Sequence, residues 1–427
     1  MSDNEVRLGA DVLTTGDGGD VMNALDSAGR RQVESWLSAL LQADHLSLLI
    51  GNGLSMSVGG VIGTMPPLMN SHLQPAEGAA EIQRHASESA KRMSRTSNLE
   101  DEIRSALSLA EGYEVLGQEA NRDAVLAAVD EAMTGLIHGV LDFERAVKTG
   151  VRNADAKAIE AQSLLQRFLV PFANRAVGRD RLSLFTTNYD RLLEYSADLL
   201  GLRVLDRFVG SLEPVFSASR LDIDMHYSPP GIRGEPRYLE GVIRLAKLHG
   251  SVDWRAVGRS IVKAPLAYGA DLGDSQVPDK PSNSVVIYPN PAKDVETLAY
   301  PYAEMFRDFA AAISRPNTVL VTYGYGFGDS HINRIIADML RLPSTHLVVV
   351  SYSHLAGLDA FKQGGLYPLG QTTEIVGPGV ASLGNLVTFL PSPASAELLE
   401  RQLRHAETQQ RLRNISVPPG ADADPAI

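Results

Sequence analysis

The sequence predicts a doubly wound, mostly parallel α/β sheet of the Rossmann-like kind, carrying a helical insertion. Three observations lead there. Unbroken apolar runs such as His45 to Ile50, Leu182 to Thr186, Thr318 to Tyr323 and Leu347 to Ser351 read as strands buried on both faces. Helical stretches separate several of them, among them Arg191 to Leu200, Tyr302 to Ile313 and Ile332 to Leu340, and that alternation argues for a parallel sheet covered on both sides. From about residue 80 to 176 strand-like runs stop and the pattern turns helical, as in Val125, Val129, Met133, Leu136, Ile137 and Val140.

Along the chain, Met1 to Asp20 is acidic and Gly-rich, and Val33, Trp36, Leu37, Leu40 and Leu41 fall at helical spacing, so Gly29 to Gln42 reads as an amphipathic helix. Residues 1–44 are thus expected to form an N-terminal helical extension. A sheet domain follows over 45–395, with its insertion at about 80–176. Further strands are expected at Val204 to Leu205, Val242 to Leu248, Val285 to Tyr288 and Leu386 to Leu390. Residues 396–427 stand apart as a last helix, Glu397 to Arg413, and a loose tail, Val417 to Ile427.

Composition narrows the functions. Lys+Arg 39 against Asp+Glu 51 gives a net charge of -12 over 427 residues, which disfavours direct nucleic-acid binding. The chain has no cysteine, so disulfides, a cysteine nucleophile and thiolate zinc sites are excluded. No segment reaches the roughly 18 apolar residues of a membrane span. The amino-terminal residues lack a basic region followed by an apolar core, so a cytoplasmic protein is expected.

In a doubly wound sheet, ligands bind outside the carboxyl ends of the strands. Four polar or Gly-rich clusters stand at such ends: Gly51-Asn52-Gly53-Leu54-Ser55, Thr186-Thr187-Asn188-Tyr189-Asp190, His249-Gly250-Ser251, and Tyr323 to His331. Each has a plain structural reading. Met56 stands where a dinucleotide fingerprint would have its third glycine, so the first loop either turns a corner or lets backbone amides reach a pyrophosphate. Asn188 and Asp190 could cap a helix, His249 could be a packed histidine, and Gly324, Gly326 and Gly328 could form a turn before a helix capped by Asp329 or Ser330. The coincidence of all four at one sheet end favours a site.

The segments "GNGLS", "TTNYD", "KLHGSVDW", "VIYPNPAKDVETLAYPYAEMF" and "GYGFGDSHINRII" together resemble the bacterial sirtuin-like (silent information regulator type) domain family, over roughly Leu46 to Leu340 apart from the insertion. Members found in antiphage defence systems cleave NAD. The resemblance implies an NAD+ glycohydrolase (NADase) that depletes cellular NAD in abortive infection, regulated by homo-oligomerisation or by a HerA-type ATPase partner. Two departures count: Asn52 replaces an alanine of the sirtuin loop, and a chain without cysteine cannot build the zinc module of protein deacetylases.

On that resemblance, Asn188 binds ribose hydroxyls or positions the attacking water, His249 is the general base, its ordinary pKa of about 6.5 suiting the task, and Asp190 orients the loop or the nicotinamide amide. Gly51 and Gly53 would cradle the pyrophosphate with Ser55 as an added donor, and Gly324 to Gly328 would line the adenosine side. Asn52, Thr187, Tyr325, Gly326 and Asp329 complete the binding set. An alternative of a different class is a sensor or scaffold that binds NAD or ADP-ribose without turnover. Asp222, Asp224 and His226 alternate as metal ligands on a strand could, but a solvated strand face is the preferred reading, so no metal is expected.

Overall fold

The computed structural model describes residues 4–67, 72–75, 77–92, 96–176, 178–219, 223–227, 237–281, 284–287 and 300–391. The expected final helix and tail lie outside these, as does Asp222. The architecture is the α/β one read from the sequence. A nine-stranded sheet runs, edge to edge, Asp11–Leu13, Glu5–Leu8, Thr372–Val376, His346–Ser351, Thr318–Tyr323, His45–Ile50, Leu182–Thr186, Val242–Lys247, Arg203–Leu205. From Thr372–Val376 to Arg203–Leu205 every pairing is parallel, and only the two amino-terminal strands run antiparallel.

Period-two alternation explains why this sheet is buried on both sides. Leu46, Leu48 and Ile50 join one core with Val319, Val321 and Tyr323, while the intervening Leu49 and Leu320 join the core on the opposite face. Chain order reverses at His45–Ile50: its next strand in sequence within this sheet, Leu182–Thr186, pairs on one side, and Thr318–Tyr323 pairs on the other. The carboxyl ends of His45–Ile50 and Thr318–Tyr323 therefore flank the switch point, where a doubly wound sheet leaves its crevice.

The insertion comprises helices Ala79–Arg92, Leu99–Val115, Glu119–Arg152 and Ala156–Ala173. The second begins with a capping box in which Asn98 and Asp101 satisfy each other's backbone amides. The third has 34 residues, about 50 Å at roughly 1.5 Å per residue. Its first two-thirds join, through Val125, Val129, Met133 and Val140, a core shared between the insertion and residues outside it such as Val252 and Val285, and its last third enters the sheet core through Phe143 and Val147. Among the described residues it is the one helix long and apolar enough to cross a membrane, but this apolar side is buried against neighbouring helices, as in the core helix of a globular domain.

Three expectations need correction. The amino-terminal segment is not only helical: besides helix Ser27–Leu40 it adds Glu5–Leu8 and Asp11–Leu13 to the sheet, held by the ion pair of Arg7 with Glu374 on Thr372–Val376. Leu386 to Leu390 is not a strand, since Leu383, Leu386 and Val387 repeat at helical spacing in helix Leu383–Phe389. Val285–Ile287 belongs not to the parallel sheet but to a second, antiparallel one, ordered Val285–Ile287, Gly250–Val257, Ser260–Lys263, Val215–Phe216, Phe208–Val209. That sheet grows from the end of Val242–Lys247, leaving His249 at the junction of the two.

Candidate active site

The loops after His45–Ile50 and Thr318–Tyr323 meet backbone to backbone. A Cβ on Gly51 would overlap the Gly324 carbonyl oxygen, and one on Gly53 would overlap the Gly324 Cα, while Gly324 itself takes φ +61. The Gly51 amide donates to the Tyr323 carbonyl and the Gly53 amide to the Gly324 carbonyl, both at 3.0 Å. The expected pyrophosphate cradle is thus corrected at these two donors, because both amides are spent inside the protein. Gly51 and Asn52 still line the crevice.

The loop after Leu182–Thr186 is tied down on all sides. The Thr186 hydroxyl donates to the Ile50 carbonyl and accepts from the Asn188 amide, each at 3.0 Å. Lys247 Nζ donates to the Asp190 carbonyl at 2.5 Å. Arg191, next in sequence, is buried against Glu144 of the long insertion helix at 2.6 Å and donates to the Leu266 and Ala267 carbonyls. The insertion therefore anchors this loop.

Inside it, hydrogen-bond chemistry decides how Asn188 is turned. Ser55 Oγ lies 2.7 Å from Asp190 Oδ2 and 3.0 Å from Asn188 Nδ2. A carboxylate can only accept, so the Ser55 hydroxyl donates to Asp190 and must accept from Asn188. The Asn188 amide thus spends its nitrogen on Ser55 and is left with Oδ1, which is buried without a partner. An acceptor with no donor at a cavity wall is a place for a ligand hydroxyl or a water.

His249 closes the other side. Its Nε2 lies 2.9 Å from Asp329 Oδ2, and Asp329 Oδ1 caps helix Ser330–Met339 by accepting from the His331 and Ile332 amides at 2.8 and 3.2 Å. Because Asp329 only accepts, Nε2 carries the proton and the lone pair of the neutral ring sits on Nδ1. Burial pulls the imidazole's pKa down, but the hydrogen bond to Asp329 and the charges of Glu100 and Asp329 outweigh it, so His249 stands above its ordinary value. For Asp329, burial pushes upward and the His249 hydrogen bond and charge, with the two helix amides, pull it down to about 2. The Gly-rich loop is no loose turn: Tyr325 donates to Asn333 Oδ1 at 2.9 Å, and Asn333 Nδ2 donates to the Phe327 carbonyl at 2.8 Å.

These groups surround one cavity of about 360 Å³. Of the residues singled out from the sequence, Gly51, Asn52, Thr187, Asn188, Asp190, His249, Gly324, Tyr325, Gly326 and Asp329 line it, whereas Gly53 and Ser55 sit behind the wall. Sequence reasoning missed the rest: Asn98, Glu100 and Arg104 from the insertion form a polar wall, and Leu136, Val140 and Phe143 with Pro66 and Pro67 an apolar one. Glu100 and Arg104, four apart on helix Leu99–Val115, share a face, a spacing that could have been noticed; that the face meets the cavity depends on tertiary packing. Asp224 pairs with Arg181 at 3.1 Å, and among the described residues no cluster of acidic residues and histidines fit to hold a metal occurs.

Residues 182–364 match the family model of the SIR2-like domain. The matched span contains Asn188, Asp190, His249, Gly324 and Asp329, and leaves the Gly51 to Ser55 loop and the insertion outside it. No curated protein matches the chain.

Proposed function

We propose that the chain is an NAD+ glycohydrolase, cleaving NAD+ with water to nicotinamide, ADP-ribose and a proton. The observation that carries this reading is the pairing, in one cavity at the switch point, of the orphan Asn188 Oδ1 with a His249 whose Nε2 is held by Asp329. SIR2-like domains bind NAD, which supports the substrate.

The chemistry asks little covalent help. The bond from ribose C1′ to the pyridinium nitrogen breaks with its electron pair passing to nicotinamide, through an oxocarbenium-like state. Water then bonds to C1′. Asn188 Oδ1 accepts a hydrogen bond from that water or from a ribose hydroxyl, and His249 Nδ1 takes the proton and passes it to solvent. Ser55 and Asp190 act behind Asn188 by keeping its amide turned. The apolar wall of Leu136, Val140 and Phe143 excludes bulk water from the reacting cation.

In this reading the enzyme depletes cytoplasmic NAD during bacterial antiphage defence, regulated by homo-oligomerisation or by a HerA-type ATPase partner. The test incubates the purified protein with NAD+, alone and with any ATPase encoded beside it, and quantifies products. Nicotinamide and ADP-ribose in equal amounts are expected. Tight NAD+ binding without either product, with and without the ATPase, would move the chain to the sensor class.

A further inference from the structure

Glu100 lies outside every motif that resembles a known family and outside the matched residues, yet it lines the cavity. Its Oε1 accepts from the Tyr189 hydroxyl at 2.5 Å and stands 3.8 Å from His249 Nδ1. Tyr189 sits between Asn188 and Asp190, so one carboxylate touches the Asn188 loop and faces the histidine at once. At 3.8 Å the Glu100 oxygen is too far to take a hydrogen bond from Nδ1. The carboxylate therefore stands beside the nitrogen opposite Asp329 as a negative charge and not as a hydrogen-bond acceptor.

We propose that Glu100, brought in by the helical insertion, is a positioning residue of the active site: held by the Tyr189 hydroxyl, its carboxylate faces His249 Nδ1 and governs when that nitrogen can accept a proton. The inference rests on the glycohydrolase reading for its chemistry, but not for its geometry. It gives the insertion a part in the reaction itself, since removing the helix Leu99–Val115 would remove a charge from the imidazole as well as a wall from the cavity.

The groups around the ring set the sign. Asp329 on the Gly-rich loop and Glu100 on the insertion both favour the imidazolium, while Arg104, one turn beyond Glu100, opposes it. Asp190 lines the same cavity but is turned to Ser55 and the Leu192 amide, and His331 lines it from the start of helix Ser330–Met339. Neutralising Glu100 leaves Arg104 less opposed, so the ring should give up its proton at lower pH.

The experiment follows His249 directly. Full-length protein labelled with 15N-histidine is titrated by NMR as wild type, Glu100→Gln and Glu100→Asp, the His249 signal being assigned by its loss in His249→Ala, and nicotinamide release is measured over the same pH range. Titration of His249 at lower pH in Glu100→Gln, with the acid limb of kcat/KM moving the same way and Glu100→Asp returning toward wild type, is expected. Tyr189→Phe, which removes only the hydroxyl that holds Glu100, should move the titration in the same direction and serves if Glu100→Gln does not fold. An unchanged His249 titration in a folded Glu100→Gln or Tyr189→Phe overturns the inference. The NMR reading needs no turnover, so a chain that releases no nicotinamide refutes the glycohydrolase and leaves the role of Glu100 to be decided by the titration.

Discussion

Asn188 donates its amide nitrogen to Ser55 at 3.0 Å, and that single bond determines that its oxygen faces the cavity. Ser55→Ala removes the hydroxyl and strands two buried partners, Asn188 Nδ2 and Asp190 Oδ2. A loss of about 1–3 kcal/mol in stability is expected. Nicotinamide release should fall further than that loss of folded protein explains, because Asn188 can now turn its nitrogen inward. Chemical denaturation and kcat on the same preparation separate the two effects; full activity in a destabilised variant would show that Ser55 serves packing alone.

The contact of Gly53 with Gly324 predicts a contrast within one helix. Gly53→Ala places a methyl against the Gly324 backbone and should cost about 1–3 kcal/mol, as overpacking does. Gly60→Ala, on the same helix with nothing near the added methyl, should be neutral or stabilising by about 0.5–1 kcal/mol. Equal melting temperatures for the two variants would contradict the backbone contact.

The buried pair of Glu144 with Arg191 ties the insertion to the Asn188 loop. Glu144→Ala leaves a buried guanidinium without its counter-charge, and about 3–5 kcal/mol of stability should be lost. Glu144→Ala with Arg191→Ala should recover part of it. A single variant as stable as wild type would rule out the anchoring role.

The pair of His249 with Asp329 fixes a pH window. A histidine whose pKa is raised on folding stabilises fully below its unfolded value of about 6.5, and loses that contribution as pH rises through the folded one. Asp329, lowered from 3.8 to about 2, contributes above 3.8 and loses it as pH falls toward 2. The pair should therefore stabilise most between about 4 and 6.5. Asp329→Asn keeps a helix cap but removes the charge, so its destabilisation should peak in that window and shrink on either side. For activity the sign is opposite at the upper edge: His249 acts as a base only when unprotonated, so wild-type kcat/KM should rise with pH through a midpoint above the ordinary histidine value. Thermal unfolding and initial rates from pH 4 to 9 check both.

Much of this site could be read from the sequence, because in a doubly wound sheet the strand ends converge whatever the loops contain. Apolar runs placed His45–Ile50, Leu182–Thr186, Val242–Lys247 and Thr318–Tyr323, and the residues after them meet around the cavity. Thr372–Val376 was hidden because two threonines and a glutamate do not look buried; Glu374 is inside because Arg7, Lys362 and the Tyr367 hydroxyl satisfy its carboxylate. The glycine loop misled for a similar reason, since Gly51 and Gly53 are small for the sake of Gly324, which lies far away in sequence. Glu100 and Arg104 were beyond reach, as a helical pattern states which residues share a face and not what that face meets.

The most direct test of the central claim is nicotinamide release from NAD+ by wild type, Asn188→Ala and His249→Ala, each first shown by calorimetry to bind NAD+. Release falling about 10²- to 10⁴-fold in His249→Ala and at least as steeply in Asn188→Ala, with binding kept, is what the account predicts. Release at the wild-type rate in either variant would contradict it.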